Sequence, residues 1–183
     1  RLFVVLPQSL SSQEIFEKGK FVADCALESG VEAIVRISSL GIDEQSVNFV
    51  GSQGPLGDSH IAVEKYCAEV GLKQVSLRPT SMFSNINFNV DEIVSNSTLS
   101  TPLGTVAKVN WVSCEDVAKV AAKVLVATKW DHFGKIIDIT GPRENTLGAE
   151  EMAQMISASV SKTVEYKEVD IPPVPDYAGL WNF

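Results

Sequence analysis

Val31-Glu32-Ala33-Ile34-Val35-Arg36-Ile37-Ser38-Ser39-Leu40-Gly41, followed by His60-Ile61-Ala62-Val63-Glu64-Lys65-Tyr66 and then Leu77-Arg78-Pro79, is the stretch that decides the fold. It reads as a buried strand, a glycine-bearing polar loop, a helix and a second strand. Short apolar runs bounded by turn residues suit strands covered on both faces, and a helix between two of them makes a right-handed crossover in a parallel sheet. In such sheets ligands sit outside the carboxyl ends of the strands, so Ser38, Ser39, Arg78 and Pro79 are expected at one crevice.

Working outward, Leu2 to Leu6 is a continuous apolar run ended by Pro7, expected as a strand buried on both faces. Ser11 or Ser12 caps the next helix, with Glu14 in its first turn and Ile15, Phe21, Val22, Cys25 and Ala26 on its apolar stripe, up to Ser29-Gly30. Ser38 to Gly57 reads as a long loop, and loops of that length are usually functional or disordered. Asp58 or Ser59 then starts a helix with Ile61, Ala62, Tyr66 and Val70 inward. Lys73 to Leu77 is the third strand, stopped by Pro79.

Past Thr80 the pattern weakens into short helical pieces lining a cleft and a turn at Pro102-Leu103-Gly104. A short strand is expected within Val106–Val112, a helix over Glu115–Ala127 with Asp116 helping to cap it, and a strand over Gly134–Thr140. A helix from Thr146-Leu147 to Ser157 follows, with Met152, Met155 and Ile156 inward, then an edge strand over Val164–Val169 and a proline-rich tail. The alternation predicts one α/β domain over residues 1–183, a doubly wound and mostly parallel sheet, with a smaller C-terminal part over 142–183.

The 183 residues are 45% hydrophobic and 21% charged, enough for a real core. A net charge of −8 argues against nucleic acid as a partner, since phosphate binding needs clustered Lys and Arg. No run reaches the roughly 18 apolar residues of a membrane span. Cys25, Cys67 and Cys114 are widely spaced and read as buried free thiols, pointing to a reducing compartment such as cytoplasm or an organelle matrix or stroma. His60 and His132 are the two histidines, with no cysteine pair nearby, so no metal site is expected.

Val35-Arg36-Ile37-Ser38-Ser39-Leu40-Gly41, His60-x-x-x-Glu64, Leu77-Arg78-Pro79, Trp111-Val112-Ser113-Cys114-Glu115-Asp116-Val117-Ala118 and Ile139-Thr140-Gly141-Pro142 together resemble the NmrA-like family. These are atypical members of the short-chain dehydrogenase/reductase superfamily, among them NADP-sensing regulators and quinone and dye reductases. The resemblance implies a Rossmann-like fold and an NAD(P)-binding protein. Its expected function is an oxidoreductase acting on a quinone-like or other small carbonyl or aromatic substrate, or an NADP redox sensor.

It also implies a strand, a Gly-x-x-Gly-x-x-Gly turn and about two further strand–helix units ahead of Leu2, where backbone amides hold the pyrophosphate. Without that portion the sheet is N-terminally incomplete. NADP or NAD is then expected only where the glycine-rich half is supplied, and none for the chain as given. The alternative reading is an accessory subunit of a larger assembly, with a partner covering the edge at Leu2–Leu6 or binding the tail at 172–183.

Cofactor contacts implied by the resemblance are Pro7, Ser38, Ser39, His60, Arg78 and Pro79, and Met82, Phe83 and Phe88 are candidates to line a flat substrate pocket. His60 is the catalytic candidate: it stands where the superfamily's Tyr-x-x-x-Lys pair has its lysine, and Leu56 stands at the tyrosine place, unable to donate a proton. Each has a structural reading beside it. His60 can bond a backbone carbonyl or Glu64 one turn on, and Arg78 can anchor the strand end by a salt bridge or a carbonyl contact. Glu64 reads as a helix-surface or ion-pair residue.

Overall fold

The computed structural model describes residues 1–6, 11–42, 54–128 and 134–170. Its centre is a parallel sheet of β1 (Leu2–Val4), β2 (Ile34–Ile37), β3 (Gln74–Pro79) and β7 (Ile136–Ile139), in the order β1-β2-β3-β7. The register pairs Phe3 with Val35, Val35 with Val75, and Leu77 with Ile137. Helices α1 (Ser12–Glu28) and α2 (Gly54–Glu69) cover one face and α4 (Cys114–Val126) the other, so the sheet is doubly wound.

Strand alternation explains the two faces. Ile34 packs with Ala23, Ala26, Val63 and Cys67 from α1 and α2, whereas Val35, Val75 and Leu77 pack with Val117, Ala121 and Val124 from α4. The same alternation places Arg36 on the α1/α2 side, beside Gln74, Ser76 and Arg78 of β3.

The capping expected for α1 is present in full. Ser11 Oγ accepts from Glu14 N–H at 3.3 Å, and the Glu14 carboxylate accepts from Ser11 N–H at 2.9 Å. At α4 the cap is Ser113, whose hydroxyl accepts from Asp116 N–H at 3.0 Å and donates to the Asp116 carboxylate at 2.9 Å.

Several expectations change. β1 is shorter than the Leu2–Leu6 run and is not buried on both faces: Leu2 and Phe3 are each 38% exposed, because β1 is the outer strand among the described residues. Phe21 lies on the outer side of α1 at 67% exposure, and Met155 is half-exposed on α5 (Ala149–Val160). Helix α2 starts at Gly54, upstream of Asp58; its fully buried apolar positions are Val63 and Cys67, the expected Tyr66 and Val70 are half-buried against that core, and Ile61 and Ala62 are half-buried outside it. Thr146-Leu147 is a short strand, β8, antiparallel to β6 (Val109–Val112), with α5 beginning after Gly148. Of the three thiols only Cys67 is fully buried. Cys25 is half-buried and Cys114, the first residue of α4, is exposed.

Helices α1 and α2 meet at a glycine. Gly19 of α1 lets the helices approach so closely that a Cβ added there would lie 2.5 Å from Val63 Cγ2 and 2.9 Å from Cγ1. Gly19→Ala is therefore expected to lower stability by about 1–3 kcal/mol through overpacking, against roughly 1 kcal/mol gained in helix propensity. In urea unfolding the Gly19→Ala/Val63→Ala pair should be more stable than the sum of the single effects, because the second change removes the clash.

Beyond the central sheet, β4 (Ser81–Met82) pairs with β6, and β5 (Thr98–Thr101) pairs with β9 (Glu165–Glu168). A 3-10 turn over Phe83–Asn89 and α3 (Val90–Asn96) link β4 to β5. A second core joins Ile93, Leu99, Leu103, Val109 and Trp111 to Met152, Ala153, Ile156 and Val164. The expected tail contacts at 172–183 lie outside the described residues.

Candidate functional site

The carboxyl ends of β2 and β3 lie side by side, and one carboxylate organises them. Glu64, on α2 facing the sheet, accepts from Arg78 Nη2 at 2.6 Å, from Ser38 Oγ at 2.8 Å and from Arg36 Nη1 at 3.5 Å. Arg36 is 1% exposed, Glu64 12% and Arg78 11%, so this is a nearly buried charge cluster. Burial alone would raise the Glu64 pKa, but the hydrogen bonds from Arg78 and Ser38 and the two guanidinium charges hold it below the usual carboxylate value.

His60, one turn before Glu64, meets Arg36 rather than a carbonyl or Glu64: Arg36 Nη2 lies 2.9 Å from His60 Nδ1, and Arg36 Nη1 donates to the His60 carbonyl at 3.3 Å. A guanidinium has only donors, so Nδ1 is the acceptor and the ring is neutral. Burial first, and then the Arg36 charge, push its pKa down to about 4.

The sign of the pH effect follows. Between about pH 6.5 and 4 the unfolded chain protonates this imidazole and the native protein does not, so stability falls with acidification by up to about 1.4 kcal/mol per unit. The contribution is complete above the unfolded value and lost as pH falls towards the folded one. Comparing chemical denaturation at pH 7, 6 and 5, His60→Gln should flatten that slope.

Arg78 divides its fork: Nη2 holds Glu64 and Nη1 donates to the Ile42 carbonyl at 2.6 Å. The segment after β2 is further tied to β3 by Ser38 N–H to Leu77 O at 2.7 Å and Leu40 N–H to Pro79 O at 3.0 Å. Both structural readings of Arg78, salt bridge and carbonyl contact, are thus present together. The cluster is open on one flank, where Glu64 and Arg78 form part of a groove of ≈650 Å³ between α2, β3 and β7.

Of the residues singled out from sequence, Ser38, His60 and Arg78 come together in this network, and Pro79 is buried at the end of β3. Ser39 is half-buried beside Ser38. Met82 packs against the central core and lies 3.8 Å from Cys114 Sγ, which also meets Ser84 Oγ at 3.2 Å. Phe83 stacks on Trp111, centroids 5.8 Å apart, and so joins the second core, while Phe88 is 66% exposed and outside it. Pro7 and the Leu56 side chain lie outside the described residues.

Arg36 was not singled out as a site residue. Its signal was a lone arginine inside an apolar strand, which demands a buried anion, and Glu64 four residues after His60 was the available one. No group of three or more His, Cys, Asp or Glu able to hold a metal occurs among the described residues, and no helix there is long and apolar enough to cross a membrane.

A model of the NmrA-like family matches residues 2–176. The chain belongs to the NmrA-like family. A curated relative, prestalk A differentiation protein A of Dictyostelium discoideum, is 28% identical over 110 residues, covering 60% of this chain and 35% of that protein. Among solved structures, the NADPH-dependent quinone oxidoreductase of Escherichia coli, complexed with NADPH, superposes with a TM-score of 0.75 at 20% identity, over 98% of this chain and 62% of that one. The Citrobacter triphenylmethane reductase complexed with NADP(H) gives 0.74 at 19% identity, over 98% and 63%.

These likenesses show the fold, a Rossmann-like, mostly parallel α/β architecture. The chain spans about a third of the curated relative and about three fifths of these two structures. As for a dinucleotide, the β1–α1 connection Pro7-Gln8-Ser9-Leu10-Ser11 carries no glycine. Among the described residues no glycine-rich turn joins a strand of the central sheet to the helix that follows it.

Proposed function

We propose that this NmrA-like chain forms the nicotinamide and substrate side of an NAD(P)(H)-dependent reductase for a quinone-like or other small aromatic or carbonyl compound. The observation that carries the reading is the convergence of Ser38-Ser39, Pro79-Thr80 and Met82 at the carboxyl ends of adjoining parallel strands, where this fold class places its ligands. The likeness to two reductases that hold NADP(H) or NADPH supports it.

A reduced nicotinamide, when bound, supplies a hydride. The chain's own residues orient and shield: Ser39, Pro79 and Met82 form the wall, and the Arg36–Glu64–Arg78 cluster holds that wall in place. His60 is neutral and its Nδ1 is engaged by Arg36. It acts as packing and hydrogen-bond acceptor, so the proton for a reduced carbonyl or quinone comes from solvent.

Calorimetric titration with NADPH and NADH tests this, on the full-length gene product and on residues 1–183 alone. Binding is expected for the first. For the second it should weaken by at least about 100-fold, roughly 2.7 kcal/mol, as pyrophosphate contacts are lost. A folded full-length protein that binds neither nucleotide overturns the reading. Oxidation of NADPH above background with a quinone panel separates a reductase from an NADP sensor, which would bind without turnover.

A further inference from the structure

We propose that Asn110 is a specificity-determining residue of this crevice: it joins the C-terminal part to the carboxyl ends of β3 and β7, and that joint sets how far Met82 stands from the strand ends. The proposal rests on the crevice being the substrate wall.

Thr80 is where the chain leaves the central sheet. Its N–H donates to the Ile139 carbonyl at 2.9 Å, extending the β3–β7 ladder by one residue, and its hydroxyl donates to the Asn110 carbonyl at 2.9 Å. Ser81 and Met82 follow at once and pair with Trp111 and Val112 of β6. The direction in which β4 departs from β3 is therefore set by β6.

Strand β6 belongs to both cores. Val109 and Trp111 pack in the second core with Met152 and Ile156, whereas Val112 packs in the central core with Leu77 and Met82. Between Val109 and Trp111, Asn110 points the other way. Its carboxamide meets the turn after β7 much as a peptide group would: Oδ1 accepts from Gly141 N–H at 2.7 Å, and Nδ2 donates to the Pro142 carbonyl at 3.0 Å and to Thr146 Oγ1 of β8 at 3.1 Å. One acceptor and two donors act together here. Aspartate keeps the acceptor and loses both donors, and leucine loses all three.

The test uses full-length Asn110→Asp protein, in which Gly141 N–H keeps its acceptor while the bonds to Pro142 and Thr146 are lost. Steady-state reduction of a one-ring benzoquinone and a two-ring naphthoquinone is the first readout. The ratio of their kcat/KM values should shift at least about fivefold from wild type. A smaller shift overturns the proposal, because losing folded protein lowers both values equally and leaves their ratio alone.

Amide hydrogen exchange without nucleotide is the second readout. Thr80–Met82 should exchange at least about tenfold faster, with α1 and the β1–β2 ladder unchanged. Unchanged exchange at Thr80–Met82 overturns the joint, and so does a uniform rise across the protein. Where Asn110→Asp does not fold, Thr146→Val carries both readouts. It removes one acceptor of Nδ2, so the ratio should shift at least about twofold, and a smaller shift overturns the proposal. Wild-type protein that binds no NADPH overturns the reductase reading and the specificity role with it, while the exchange data still decide whether Asn110 makes the joint.

Discussion

Replacing Glu64 by leucine is expected to destabilise the protein by about 3–5 kcal/mol, the range for removing one partner of a buried charge cluster. The magnitude comes from what is left behind. Arg36 is 1% exposed and Arg78 11%, and neither guanidinium can lose its charge at any ordinary pH. With the carboxylate gone, two cations on adjoining strands face each other, and the Ser38 hydroxyl loses its acceptor. Since a domain of this size has only about 5–15 kcal/mol in total, the variant should unfold at much lower urea with an unchanged slope. Glu64→Gln should cost less, because its carbonyl still accepts from Arg78. Adding Arg36→Met to Glu64→Leu should recover part of the loss by removing one of the uncompensated charges, and that non-additivity identifies desolvated charge as the cause. Acid gives the same answer by another route. The Glu64 pKa is depressed, so its contribution is complete above the unfolded carboxylate value and disappears as pH falls through the folded one.

The strand–helix–strand units were legible because their signals are local. Buried runs in β2 and β3 and the Ser11–Glu14 cap need no knowledge of the rest of the molecule. What was not legible depended on partners. The start of α2 was hidden because Gly54-Pro55-Leu56-Gly57 has the composition of a loop, although proline is tolerated in a first helical turn. Its most deeply buried apolar positions were missed because Val63 and Cys67 are set by the approach of α1 at Gly19, a contact across the fold, while the expected Tyr66 and Val70 pack against the edge of the same core. Thr146-Leu147 was read as helix because its apolar spacing continues into α5. Gly148 separates the two, with its N–H donated to Glu151 at 2.8 Å, and Thr146 pairs with Asn110 of β6 instead. At the site the same division holds. The serines and Arg78 were found by their place at strand ends, whereas Arg36 acquires meaning only when the fold brings Glu64 against it.

Gly141→Ala is expected to be more damaging than any other glycine substitution in the described residues, costing more than about 4 kcal/mol or preventing folding. A Cβ at this position would stand 1.9 Å from the Trp111 carbonyl oxygen and 2.9 Å from its carbon, and backbone atoms cannot swing aside as a side chain can. Relief requires moving β6, and β6 is held on every side. Asn110 Oδ1 accepts from Gly141 N–H at 2.7 Å, its Nδ2 donates to the Pro142 carbonyl at 3.0 Å and to Thr146 Oγ1 at 3.1 Å, and its own carbonyl accepts from Thr80 at 2.9 Å. Trp111 stacks on Phe83 and packs into the second core, so shifting its carbonyl disturbs both. Gly71→Ala is the control. Its φ of +73° disfavours alanine by about 1 kcal/mol, but nothing lies within 4 Å of the added carbon. Soluble yield, near-ultraviolet circular dichroism and urea unfolding should therefore separate the two variants clearly. Any Gly141→Ala protein that folds should also show altered packing at β4, because Ser81 and Met82 are registered on Trp111 and Val112 and the displacement passes directly to them.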